Sequence, residues 1–217
     1  MKRGGLSPIR DAFGLLWSLN VKAIPSAMVW AISFWFVIET QSLLIRSFAV
    51  VLASTAAMAS SGFVANEWST TSRIQWKKAF RDQINWKMIG VSGMLLDLSL
   101  ENLSIVDSRS YLLKIVFLSI FLSCLILWLS VILILLPLRT IENGEESSLD
   151  TFAKALKLIQ FRKKYVFLSF AVMIFAWPIF FVYIFLALTF AQCVIISSYG
   201  DLADASVQSP KMRVQLA

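Results

Sequence analysis

Apolar residues run through this chain in long blocks, separated by short polar stretches that are rich in Lys and Arg. A helix that crosses a membrane needs about 20 mostly apolar residues, and the blocks have that length. The first covers residues 23–40 (AIPSAMVWAISFWFVIET) and the second residues 43–65. The third, residues 87–106, is the least hydrophobic because it holds Asp97 and Glu101. The fourth, residues 115–138, is almost unbroken and closes on LILWLSVILILLPL. Residues 165–199 then stay apolar for 35 positions. At 1.5 Å per residue that is about 50 Å, against a hydrocarbon core of about 30 Å. Pro178 lies near the middle and is expected to kink or break the helix. The run reads either as a hairpin of two spans (165–181 and 182–199), or as one span followed by an interfacial or re-entrant helix. The prediction is an all-α, polytopic transmembrane bundle of five to six membrane segments. It is flanked by a basic segment, residues 1–22, and a polar tail, residues 200–217.

Composition agrees. Of 217 residues, 58% are hydrophobic and 15% charged, where soluble domains have about 45–50% and about 25%. Mean hydropathy is +0.74. Seventeen Phe and eight Trp cannot all be hidden in a soluble core of this size. The absence of histidine removes the commonest general base and metal ligand. Cys124 and Cys193 both sit in apolar runs, which implies neither a disulfide framework nor a zinc site. No P-loop pattern occurs, and Gly90-Val91-Ser92-Gly93 is one residue short of a GxSxG elbow. The expectation is a non-enzymatic protein without cofactor or metal.

The net charge of +7 is distributed as membrane topology requires, which argues against nucleic-acid binding. Fifteen Lys and Arg fall in the N-terminal segment and in the stretches after the second and fourth spans. Only Arg46, Arg109 and Lys114 fall on the other side. An excess of basic residues marks the cytoplasmic face, so the N-terminus and both long loops are expected there. Lys2 and Arg3 precede an apolar patch, but no small-residue cleavage site follows. The segment is therefore expected to stay attached, with Phe13, Leu16 and Trp17 on an interfacial helix.

Three features carry candidate chemistry. Ala49, Ala53, Ala57, Ser61 and Ala65 recur every four residues in the second span, a smooth stripe that permits close helix contact. Packing within the chain and contact between two copies both fit it. Next, each cytoplasmic loop holds a short basic amphipathic helix. In the first, Trp76, Ala79, Phe80 and Ile84 share a face; in the second, Leu149, Phe152, Ala153, Leu156 and Ile159 do. Ser147 with Asp150 resembles a capping box ahead of the second. A shift of 76 residues lays Trp76 over Phe152 and Phe80 over Leu156, a weak internal repeat. These faces suit the lipid surface, or docking to a partner protein through Trp76, Phe80, Phe152 and Leu156.

The third feature is the acid pair. Asp97 and Glu101 are four apart, on one helix face. Counted from Lys87 they lie about 15 Å and about 21 Å along the helix. Arg46 and Lys114 are the candidate counter-ions; Glu101 is within reach of either, while Asp97 lies deeper. An interfacial ion pair, a polar lock inside the bundle, and a path for an ion, proton or solute all remain open.

The order of these features resembles the YesL-like family of small bacterial membrane proteins, a family defined largely by unknown function. The stretches that carry the resemblance are ASTAAMASSGFVANEWSTTSRIQWKKAFRDQ, then GMLLDLSLENL, then LPLRTIENGEESSLDTFAKALKLI followed by WPIFFVYIFLAL. Where the family pattern has a Pro-Thr-Gly turn before the small-residue span, ETQSLLIRS stands here. The resemblance implies an accessory membrane subunit for carbohydrate uptake, with an ABC-transporter subunit as partner, and transfers no site residues. Two functions follow as expectations. One is an accessory or assembly protein of the bacterial inner membrane, able to self-associate. The other is a small secondary transporter or channel using Asp97 and Glu101.

Overall fold

Apolar runs that leave water must satisfy every backbone N–H and C=O internally, and only helices do so within one segment. The computed structural model describes residues 8–19, 22–40, 42–68, 80–105, 111–141, 147–179 and 184–208. Among them every regular element is helical. They are α1 (Pro8–Leu19), α2 (Ile24–Glu39), α3 (Leu43–Trp68), α4 (Gln83–Ile105), α5 (Tyr111–Ile141), α6 (Ser148–Ile179) and α7 (Ile184–Gln208).

The all-α expectation is met, while the number of helices apolar enough to cross is smaller than expected. By length and composition α3 and α5 can cross a membrane, with a third span if α1 and α2, bent by 103°, act together. The shortfall against five to six has local causes. α2 has 16 residues, just under the usual minimum. α4 carries Lys87, Asp97 and Glu101. The long run 165–199 is divided between α6, which opens with a charged stretch, and α7, whose apolar part is Leu186–Gly200.

α3 lies at the centre. It packs against α2, α4, the end of α5 and α7, and two-thirds of its apolar window is buried, against one-third for α5. The small-residue stripe makes this possible. Ala49, Ala53, Ala57, Ser61 and Ala65 are all buried within the chain, so close approach of neighbouring helices is the use the fold makes of them. Ala53, Ala57, Leu96, Trp128, Leu158 and Leu188 belong to one core that joins six helices. A second cluster seats Ala12, Leu15 and Leu19 of α1 on Val64 of α3 and on Cys193, Val194 and Ile196 of α7. Phe13 and Trp17 of α1 stay exposed.

α5 is not uniformly α-helical. Val131–Leu135 form a π-helical turn, a wider turn that releases one backbone bond from register. The Leu136 N–H goes to the Val131 carbonyl, and Pro137, next in line, has no N–H. The Ile132 carbonyl is thereby left without a donor from its own helix. Gln192 of α7 supplies one: its Nε2 donates to Ile132 O at 3.0 Å and to Ala57 O at 3.1 Å. One buried amide thus ties α3, α5 and α7 together, as a broken membrane helix requires.

The run 165–199 forms two helices that pack on each other. Ser169 Oγ donates to Ala191 O across the pair at 3.3 Å, and their core residues join one cluster. The run folds back on itself as a helical pair, and neither member is among the described helices long and apolar enough to cross a membrane alone. Helix α6 continues through Pro178 and ends one residue later. It is also interrupted at Arg162 (φ −124°, ψ 30°), which separates the basic amphipathic stretch from the apolar one.

Candidate functional site

Arg46 stands in the first turn of α3, and Asp97 and Glu101 share one face of α4. Packing of α3 on α4 brings all three together. Arg46 Nε donates to Asp97 Oδ1 at 2.6 Å, and its second arm to Glu101 Oε2 at 2.5 Å. Ser47 Oγ donates to the remaining Asp97 oxygen. The Arg46 side chain is 5% exposed and that of Asp97 13%. A planar guanidinium that grips two carboxylates through separate N–H groups is a geometry lysine cannot copy. Lys114, the other candidate, forms no ion pair among the described residues. Depth does not set Asp97 apart from Glu101, because the Arg46 side chain turns into the bundle and meets both acids. Neutralising buried charge with charge lowers a penalty that insertion estimates set at about 2.5–3.5 kcal/mol per ionised group.

Beside this triad a groove of about 220 Å³ runs between α3 and α4. Val50 and Val51 form one wall, Gly90 and Met94 the other, and Ser47 and Asp97 close one end. Gly93 sets the depth. A Cβ there would stand 2.8 Å from Val50 Cγ1, whereas at Gly90 it would meet nothing within 4 Å.

A second buried arginine lies at the other end of the bundle. Arg139, 2% exposed, donates through Nε to Asp82 Oδ2 and reaches the Thr151 hydroxyl at 3.4 Å. Asp82 also accepts the Ile84 N–H at 2.9 Å, capping α4. Arg139 therefore fastens the start of α4, the end of α5 and the first turn of α6. In the sequence Arg139 is one of the fifteen basic residues that mark the cytoplasmic side, and nothing local to it points to a buried partner. The cap signal at Asp82, just ahead of a helical run, was there to be used.

The expected docking residues separate. Trp76 lies outside the described residues. Phe80 is half-buried, packs on the core and sits 6.2 Å from the Trp86 ring, and Trp86 Nε1 donates to its carbonyl at 2.7 Å. Phe152 and Leu156 are 53% and 51% exposed. Leu149, Ala153 and Ile159 are exposed beside them, while Thr151, Ala155 and Leu158 on the opposite face meet the bundle. Two small side chains, Thr151 and Ala155, let the helix approach so that Leu158 reaches the core, while Phe152 and Leu156 face outward. The serine half of the capping box forms, with Ser147 Oγ accepting the Asp150 N–H at 3.2 Å; Asp150 Oδ2 accepts the Ser147 hydroxyl at 2.7 Å, in place of the backbone N–H that a full box uses.

No family model, curated protein or solved structure matches the chain.

Proposed function

We propose that this chain is a non-enzymatic, multi-pass accessory or assembly protein of the bacterial inner membrane, with its N-terminus in the cytoplasm. In this reading the helices from α2 to α7 provide up to six crossings, and those too short or too polar alone cross as parts of the bundle. The observation that carries the reading is the start of α6. An apolar face built of Leu149, Phe152, Leu156 and Ile159 stands exposed, on a helix whose other side is held by Arg139 and the core. A large apolar face on a fixed support is what partner docking uses. The YesL-like resemblance suggests the permease of a carbohydrate ABC transporter as that partner. Affinity purification of the tagged protein in mild detergent tests this. The permease is expected to co-purify with the wild type and to be lost with Phe152→Ala and Leu156→Ala together, while membrane insertion is kept.

The second reading, a small secondary transporter or channel using Asp97 and Glu101, has one observation in its favour: Asp97 lines the groove. The hydrogen bonds that hold the Asp97 carboxylate to Arg46 and Ser47 support a fixed lock between α3 and α4 rather than a path along which a solute passes. Solute uptake into liposomes by the purified protein, abolished by Asp97→Asn, would reverse the order of the two readings.

A further inference from the structure

The groove between α3 and α4 has an unequal distribution of chemistry. Its walls are apolar, and its polar atoms gather at one end, where Asp97 and Ser47 lie. The helices touch at Gly93 and part at Gly90, one turn away. From Gly90 to Asp97 the groove follows seven residues of helix, about 10 Å, the length of part of an alkyl chain. Val51 and Met94, on its two walls, are 53% and 66% exposed. The groove therefore opens onto the apolar outer surface of the bundle, where lipid tails lie in a bilayer.

The polar end selects the head. Asp97 accepts one hydrogen bond on each oxygen, from Arg46 and from Ser47, and each carboxylate oxygen has a further acceptor position. Glu101, on the same guanidinium, adds a second negative charge nearby. A phosphoglycerol head, which is anionic and has no cation, is repelled there. A choline head has charge but no N–H. A primary ammonium supplies both charge and donors. We propose that this groove is a binding site for phosphatidylethanolamine, with one acyl chain laid between Val51 and Met94 and the ammonium group on Asp97.

Gly90 gives a test that leaves the triad untouched. A side chain there enters open space and fills the groove, and Val51→Phe fills it from the other wall. Delipidated wild-type protein is titrated with phosphatidylethanolamine, phosphatidylcholine and phosphatidylglycerol of identical acyl chains. Bound lipid is counted by native mass spectrometry, and thermal stability is followed in parallel. Phosphatidylethanolamine is expected to bind about tenfold more tightly than the other two, the worth of one charge-assisted hydrogen bond, and to raise the melting temperature. Gly90→Leu and Val51→Phe should each remove that preference without lowering the melting temperature of the lipid-free protein. Should one variant fold poorly, the other carries the test. Equal binding of the three lipids overturns the proposal, as does a preference for phosphatidylglycerol or an unchanged preference in both variants. Cross-links from Met94→Cys to a second copy that lipid does not displace would assign the groove to self-association and overturn it too.

Discussion

Gln192 Nε2 stands 3.0 Å from the carbonyl of Ile132, the carbonyl that the missing N–H of Pro137 leaves open. The pair connects two breaks of local rule, a π turn and a proline inside a long apolar helix. Each is tolerated because a third residue, more than fifty positions away, restores the bond. Removing the amide should strand a buried acceptor, at about 1–3 kcal/mol. Gln192→Leu is expected to lower the melting temperature in detergent. Pro137→Ala, which returns an N–H to α5, should reduce that loss when combined with it. Equal losses in both backgrounds would show that Gln192 acts elsewhere.

The arginine triad predicts an asymmetry among its members. Arg46→Leu leaves Asp97 and Glu101 facing each other in the bundle, and breaking a buried pair from one side costs about 3–5 kcal/mol. Replacing all three with apolar residues of similar size should be far milder. The recovered folded fraction on size exclusion is expected to rank wild type and the triple variant together, well above Arg46→Leu.

Glycines 90 and 93 should separate cleanly. Gly93→Ala forces a methyl against Val50 Cγ1 at 2.8 Å, and overpacking of this kind destabilises by about 1–3 kcal/mol. Gly90→Ala meets nothing and should be neutral or slightly stabilising, since alanine favours helix over glycine. Thermal melts of the two single variants decide the matter.

Topology can be read at Leu149, which is 77% exposed at the start of α6. In a Cys124→Ser background, Leu149→Cys is expected to resist an impermeant maleimide applied to intact cells and to react once the cells are opened. Labelling from outside would place α6 on the opposite face and reverse the assignment made from the basic residues.

Local features were legible in the sequence. The cap at Ser147 and Asp150 needs only residues three apart, and the apolar face from Leu149 to Ile159 follows from helical spacing alone. The grouping of Asp97 with Glu101 is likewise local. Arg46 stands out as a counter-ion because so few cations occur on that side, yet nothing in the sequence shows that one guanidinium serves both acids. The partners of Arg139 and Gln192 were invisible for a further reason. Asp82 lies 57 residues from Arg139, and Ile132 lies 60 from Gln192, and no periodicity in one helix reports which neighbour meets it. The direction of the α6 face was also beyond pattern. Thr151 and Ala155 look less apolar than Phe152 and Leu156, but their small size lets the helix approach the bundle.

The triad of Arg46, Asp97 and Glu101 has a consequence for biogenesis. α4, with its two acids, is not among the described helices long and apolar enough to cross a membrane alone, whereas α3 is, despite its arginine. Chain order settles which must wait. During synthesis the guanidinium emerges first, and the acids follow about fifty residues later. The charge of α4 is then met by a neighbour made before it rather than offset by its own hydrophobicity. Pairing with α3 explains how so polar a segment can belong to so apolar a chain.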